Sequence, residues 1–162
     1  MDLLVIRHGK AEPHGDAGSD ASRRLSEDGR KKLGRGARGL RKLVPALDAL
    51  VSSPLVRAVE SAEIVAEAYG DLGFEQTPVL EPYREPKELA DWLAGRSESV
   101  LAIVGHEPLL SLASTWLLSG LRTSFLELGT GGALLLHFPG EIDAGRARLV
   151  FALTSWQLRK LR

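Results

Sequence analysis

Val100-Leu101-Ala102-Ile103-Val104 is a wholly apolar, largely β-branched run, followed at once by Gly105 and His106. Five apolar residues without polar alternation fit a strand covered on both faces, as in a parallel sheet between two helix layers. The neighbouring segments agree. Upstream, Pro86 to about Leu93 is predicted as a helix; downstream, Pro108 opens another through Leu118. Two shorter apolar runs, Leu3-Leu4-Val5-Ile6 and Ala49-Leu50-Val51, read as further buried strands.

Between those runs Ser26 is placed to cap a helix that begins with Glu27 and Asp28, acidic residues that suit the positive end of the helix dipole. Leu33, Ala37 and Leu40 give that helix one apolar face. Ser53-Pro54 reads as the start of the next helix, with Ser at the N-cap and Pro at the first helical position. Its apolar positions are Leu55, Val59, Ala62, Val65, Ala66 and Tyr69, and Gly70 closes it. Phe74 to Leu80 is a candidate strand. Gly129 to Gly132 is a breaker cluster, followed by strands at Ala133 to Phe138 and Arg148 to Leu153 with a Pro139-Gly140 turn between them. Strands alternating with helices and ending in two strands predict an α/β three-layer sandwich. Its sheet is mostly parallel, with helices on both faces and an antiparallel edge strand.

The 162 residues are expected to form one domain, 1–162, large enough to bury a core without staples. Lys plus Arg is 21 and Asp plus Glu is 21, so nothing in the balance points to nucleic acid or an anionic membrane. Residues 1–60 hold 12 Lys and Arg against 8 Asp and Glu, an excess concentrated between Arg30 and Lys42 that reads as the solvated face of a helix. Cys is absent, which removes disulfides, thiolate metal sites and Cys nucleophiles. No apolar run is long enough to span a bilayer, and the N-terminus lacks the basic and apolar regions of a secretory signal. The chain is therefore expected to be complete, soluble and cytoplasmic.

In open α/β sheets ligands bind beyond the carboxyl ends of the strands. Arg7-His8-Gly9 follows the first strand, Ser53-Pro54 with Arg57 follows the second, and Gly105-His106 follows Val104. Two Arg and two His thus converge on one edge, where they would repel one another unless an anion sits between them. Phosphate, or sulfate in its place, suits that site. Arg offers a fork of donors and a permanent charge, and a neutral imidazole can attack phosphorus. No metal or cofactor is needed for such a scheme.

Arg7-His8-Gly9 resembles the RHG signature of the histidine phosphatase superfamily, the phosphoglycerate mutase-like fold. Ser53-Pro54, Arg57-Ala58 and Ser61-Ala62 are similar to its SPxxRAxxTA segment. Gly105-His106 resembles its second histidine, and Leu25-Ser26 with Gly29 its LTxxG helix start. The resemblance spans residues 1 to about 118. It implies that His8 accepts the phosphoryl group and that Arg7, Arg57 and His106 form the phosphate pocket. Members acting on phosphomonoesters usually carry a Glu acid after the third strand. Here Val79 to Pro86 departs from the usual pattern there, and Glu81 and Glu85 are the candidate acids.

An alkoxide leaving group needs a proton from a positioned acid, whereas an imidazole leaving phosphohistidine can depart protonated. The short chain, the N-terminal RHG and Leu80-Glu81-Pro82 are similar to the SixA branch, small bacterial phosphohistidine phosphatases. The implied substrate is a phosphorylated protein of a phosphorelay or phosphotransfer system. Alternatives are a phosphomonoesterase on a small metabolite, a phosphate-binding module without turnover, and a metal site on His8, His14 and His106. His137 reads as a strand-face residue, and Trp92, Trp116 and Trp156 as packing residues.

Overall fold

In the computed structural model, which describes residues 1–13 and 20–161, the apolar runs become the middle of a six-stranded sheet. The strands are β1 (Asp2–Arg7), β2 (Ala49–Ser52), β3 (Glu75–Gln76), β4 (Val100–Gly105), β5 (Ala133–His137) and β6 (Arg148–Leu153), in the order β3-β2-β4-β1-β5-β6. β1, β2, β3 and β4 pair in parallel, while β5 runs antiparallel to both β1 and β6. The expected mostly parallel sheet with antiparallel pairing toward one edge is the sheet observed.

The helices are α1 (Glu27–Leu43), α2 (Val56–Ala68), α3 (Pro86–Ala94), α4 (Leu109–Ser119) and α5 (Ser155–Leu158). Successive strand residues point to opposite faces. Leu3, Val5, Leu101 and Ile103 accordingly pack with Leu89 and Leu93 of α3 and Leu109, Leu110 and Leu117 of α4. Leu4, Ile6, Ala102 and Val104 pack on the other side with Ala37 and Leu40 of α1 and Ala58, Ala62 and Val65 of α2. Burying each such Leu or Ile side chain contributes about 1.5–3 kcal/mol. Among the described residues no helix is long and apolar enough to cross a membrane.

Three local expectations change. The strand expected over 74–80 is only Glu75–Gln76, because Pro78 has no N–H for a ladder. Pro78–Leu80 forms a 3-10 turn instead, with the Thr77 hydroxyl accepting from the Val79 N–H. Helix α2 starts at Val56 rather than Pro54, with Leu55 at its N-cap. Trp156 is 61% exposed, with the Lys160 ammonium over its ring, while Trp92 and Trp116 pack against the core as expected. Ser26 caps α1 as read, accepting from the Gly29 N–H at 3.0 Å. The basic face of α1 is paired in part: Lys31 with Glu27, Lys32 with Asp28, and Arg30 with Glu60 of α2. His137 Nδ1 lies 2.7 Å from the Asp2 carboxylate, at a strand face.

The C-terminal helix closes the α1 layer at a glycine. A Cβ on Gly39 would lie 2.0 Å from the Leu158 carbonyl oxygen, a backbone atom that has little room to yield. Ala is the better helix former by about 1 kcal/mol. The overlap should outweigh that gain, and Gly39→Ala is expected to destabilise the protein by about 1–3 kcal/mol. Chemical denaturation measures it; an unchanged or higher midpoint would show that α5 is not held against α1.

Candidate active site

The parallel register aligns the strand ends. Arg7 of β1 stands opposite Gly105 of β4, so His8 and His106 are each the first residue beyond the sheet. Ser52 of β2 pairs with Val104, which brings Ser53 to the same level. Backbone bonds then fix the turn after β1. His8 N–H donates to the Gly105 carbonyl, and the Gly131 N–H donates to the carbonyls of Arg7 and His8 at 3.1 and 3.0 Å. Gly131 has φ +68°, a conformation that glycine adopts at little cost. The breaker cluster before β5 thereby holds the His8 backbone.

One face of α2 holds the rest of that segment. Arg57, Glu60 and Ser61 stand at i, i+3 and i+4, the spacing that puts side chains on one helix face. Ser61 Oγ accepts from the Gly9 N–H at 3.0 Å and donates to the Arg57 carbonyl at 2.6 Å. Glu60, itself buried, accepts from the Leu25 N–H and from Arg24, both at 2.7 Å. Its carboxyl is held below the usual range: burial opposes ionisation, but these bonds and the charge of Arg30 outweigh it.

A cavity of about 310 Å³ opens at these strand ends, bordered by Arg7, His8, Arg57 and His106. Lys10, Ala11, Asp20, Arg23, Pro82, Tyr83, Glu107 and Thr130 complete its wall. The four residues expected to converge do so. Glu81 and Glu85, the candidate acids, do not border it. Glu81 is half-buried beside Arg84 at 3.9 Å, and Glu85 faces a separate hollow along α3. From their loop the cavity receives instead Pro82 and Tyr83, because Leu80, fully buried, anchors the preceding turn in the core.

His8 is 7% exposed, and its Nδ1 lies 2.7 Å from its neighbour's carbonyl, that of Gly9. A carbonyl can only accept, so Nδ1 carries the proton and Nε2 keeps its lone pair. Arg57 Nε approaches that lone pair at 3.3 Å. The guanidinium is aimed by Asp20, which receives Nη1 at its carbonyl (2.6 Å) and Nη2 at its carboxylate (2.9 Å). Arg23 reaches the same carboxylate at 2.9 Å, and hydrogen bonding from it and Arg57 keeps Asp20 ionised below the usual range.

His106 Nε2 lies 2.8 Å from Ser53 Oγ, and its ring centroid is 4.9 Å from that of His8. Arg7 Nη1 donates to the Leu128 carbonyl at 2.8 Å. Among the described residues three buried side-chain atoms have no protein partner, Arg7 Nε, His106 Nδ1 and Glu107 Oε1. All belong to residues bordering the cavity. No three His, Cys, Asp or Glu among the described residues are grouped as metal ligands. His14 of the metal alternative lies outside the described residues.

Burial pushes the His8 imidazole down to about 4, reinforced by Arg57 and Arg7 and opposed only by the bond to Gly9. Burial likewise pushes His106 down to about 3, with His8 and Arg57 adding to it. Both rings are therefore neutral at pH 7, as a nucleophile requires. Where His8 protonation limits the free enzyme, kcat/KM should hold its plateau through pH 5.5 and fall only as pH drops toward about 4. A pH profile with an acid limb near 6.5 would show an ordinarily exposed imidazole. The same shifts have a stability consequence of definite sign. Below the unfolded pKa of 6.5 the unfolded chain binds protons that the folded rings refuse. Stability is therefore lost progressively from about pH 6.5 down to these folded values.

The family model of the histidine phosphatase superfamily (branch 1) matches residues 3–98. The chain belongs to that superfamily. The match includes β1 with Arg7 and His8, and α2 with Arg57. A curated relative, an uncharacterized protein of Picosynechococcus, is 28% identical over 159 residues, covering 96% of each chain. By fold the chain is similar to the protein histidine phosphatase SixA complexed with tungstate. The TM-score is 0.84 at 20% identity, covering 98% of this chain and 99% of that one. It is also similar to a phosphoserine phosphatase of Entamoeba histolytica in complex with 3-phosphoglyceric acid, with TM-score 0.72 at 17% identity, covering 97% and 98%. The superfamily fold thus accounts for the whole sandwich, including the β5–β6 edge beyond the matched residues.

Sequence reasoning missed Asp20 and Glu107. Asp20 lies in a polar stretch with no periodicity, and nothing in the sequence marks it as the partner of Arg57. Glu107 carried a signal: it directly follows His106 at a strand end, where side chains are delivered into the crevice.

Proposed function

We propose that the protein is a phosphatase acting on phosphohistidine in a partner protein, through a phosphoryl intermediate on His8. The observation that carries this is the His8 ring: neutral, locked by Gly9, with its Nε2 lone pair in a cavity ringed by Arg7 and Arg57. In-line attack by Nε2 on phosphorus breaks the bond to the leaving group and forms phosphohistidine on the enzyme. Arg7, Arg57 and a neutral His106 hold the equatorial oxygens, where charge accumulates in the transition state. Water then attacks phosphorus, the P–N electron pair returns to Nε2, and phosphate is released. These donors supply the charge stabilisation, so the reading needs no metal.

A substrate phosphohistidine protonated at its remote nitrogen departs as neutral imidazole, so the reading does not depend on Glu81 or Glu85 as acid. Tyr83, 88% exposed at the rim, offers an aromatic face to an incoming flat ring. The likeness to SixA, a protein histidine phosphatase, supports the same class of substrate. The likeness to a phosphoserine phosphatase favours the second reading, an ester of a small metabolite. Phosphate release in EDTA from a phosphohistidine peptide and from a phosphomonoester distinguishes the two. Preference for the peptide is expected; preference for the ester would move the substrate to metabolites.

A further inference from the structure

The geometry points to Glu107 as the proton donor for an alkoxide leaving group, which makes this cavity competent toward alkyl phosphomonoesters as well as phosphoramidates. The inference rests on His8 as the phosphoryl acceptor. Only two carboxyl groups among the described residues border the cavity, Asp20 and Glu107. Asp20 is committed to Arg57 and Arg23 as a carboxylate. Glu107 is different: it is half-buried, and its Oε1 is enclosed without a partner.

Its position is fixed by a short frame. Ser111, early in α4, favours the ionised form of the Glu107 carboxyl. Ser111 Oγ also accepts from the Leu128 N–H at 3.2 Å, and the Leu128 carbonyl receives Arg7 Nη1. The start of α4, which closely follows Glu107, is thus tied to Arg7 through Leu128. Burial raises the Glu107 pKa above the usual carboxyl value, more than the Ser111 bonds and the charge of Arg7 lower it, and Glu127 adds to the rise. His106, the adjacent ring, is neutral and contributes no charge at pH 7.

The protons balance without a further reactant. His8 Nε2 bonds to phosphorus, the P–O bond to the alkyl group breaks, and the departing oxygen takes the Glu107 proton. Glu107, now a carboxylate, takes a proton from the water that attacks the phosphoenzyme, and the P–N electron pair returns to Nε2. A phosphohistidine substrate bypasses the first transfer, because its remote nitrogen is protonated from solvent. An aryl ester nearly bypasses it, because its phenolate is a stable anion.

The test compares kcat/KM for an alkyl ester (a phosphoserine peptide), an aryl ester (p-nitrophenyl phosphate) and a phosphohistidine peptide, in wild type and Glu107→Gln. The alkyl ester should lose about 10²–10⁴-fold, while the aryl ester and the phosphohistidine peptide change by less than about tenfold. Glu107→Asp should recover part of the alkyl activity. An equal loss on all three would make Glu107 a structural brace of Arg7 and overturn the assignment. So would a wild type inert on the alkyl ester but active on the others. Should the Gln variant not fold, the wild-type pH profile decides. The alkyl rate must fall at high pH as Glu107 ionises, before the aryl rate does, and superimposable profiles would overturn the inference. Inertness on all three without a phosphoenzyme on His8 would overturn the phosphatase reading itself, and this inference with it.

Discussion

His8→Ala is expected to abolish turnover, by on the order of 10⁴-fold or more, and to leave the protein folded. The size follows from the proposed role, in which the imidazole forms the intermediate through the Nε2 that Arg57 Nε approaches. His106 is neutral too, but its Nε2 is engaged with Ser53 Oγ. The fold survives because the backbone of residue 8, not its ring, holds the strand end, through Gly105 and Gly131. Below pH 6.5 the variant should even lose less stability than wild type, since it no longer buries an imidazole that refuses protons. Steady-state rates on a phosphohistidine peptide, with thermal melts beside them, check both halves. Turnover at the wild-type rate would place the nucleophile elsewhere.

Arg57→Ala is the second large effect, a loss of about 10²–10³-fold in kcat/KM, or about 3–4 kcal/mol. Two changes act together. The cavity loses a guanidinium whose Nε lies 3.3 Å from His8 Nε2. Asp20, still paired with Arg23, loses the Arg57 charge that offsets its own at the cavity where the proposed reading seats the phosphoryl group. Arg57→Lys keeps the charge but cannot meet both Asp20 and a phosphate oxygen with fixed geometry, so it should recover only part of the loss. Kinetics with each variant decide it. An unchanged kcat/KM in Arg57→Ala would remove Arg57 from the reacting centre.

The parts of this protein most legible in its sequence are those where one physical demand dominates. The runs at Leu3 and Val100 had to be buried on both faces, and their ends therefore marked the crevice. Ser26 had to satisfy open backbone donors at a helix start, and it does. Legibility failed where two demands competed. Ser53 looks like a cap, yet its hydroxyl meets His106 and the helix begins at Val56. The stretch before Leu80 is apolar enough for a strand, but Pro78 denies it a ladder bond. Glu81 and Glu85 stood in the loop where an acid is usual, and neither borders the cavity that Pro82 and Tyr83 line. The Asp20–Arg57 contact joins residues 37 apart, with no local pattern to announce it.

The most direct test of the account is to trap the intermediate. The enzyme would be mixed with excess phosphohistidine peptide, quenched in alkali within the first turnovers and digested, and the fragment carrying residues 7–9 weighed. The account predicts one phosphoryl group on His8, stable to alkali, lost in acid and absent from His8→Ala. Phosphate release with no phosphoryl group on His8, or with the group on another residue, would contradict it.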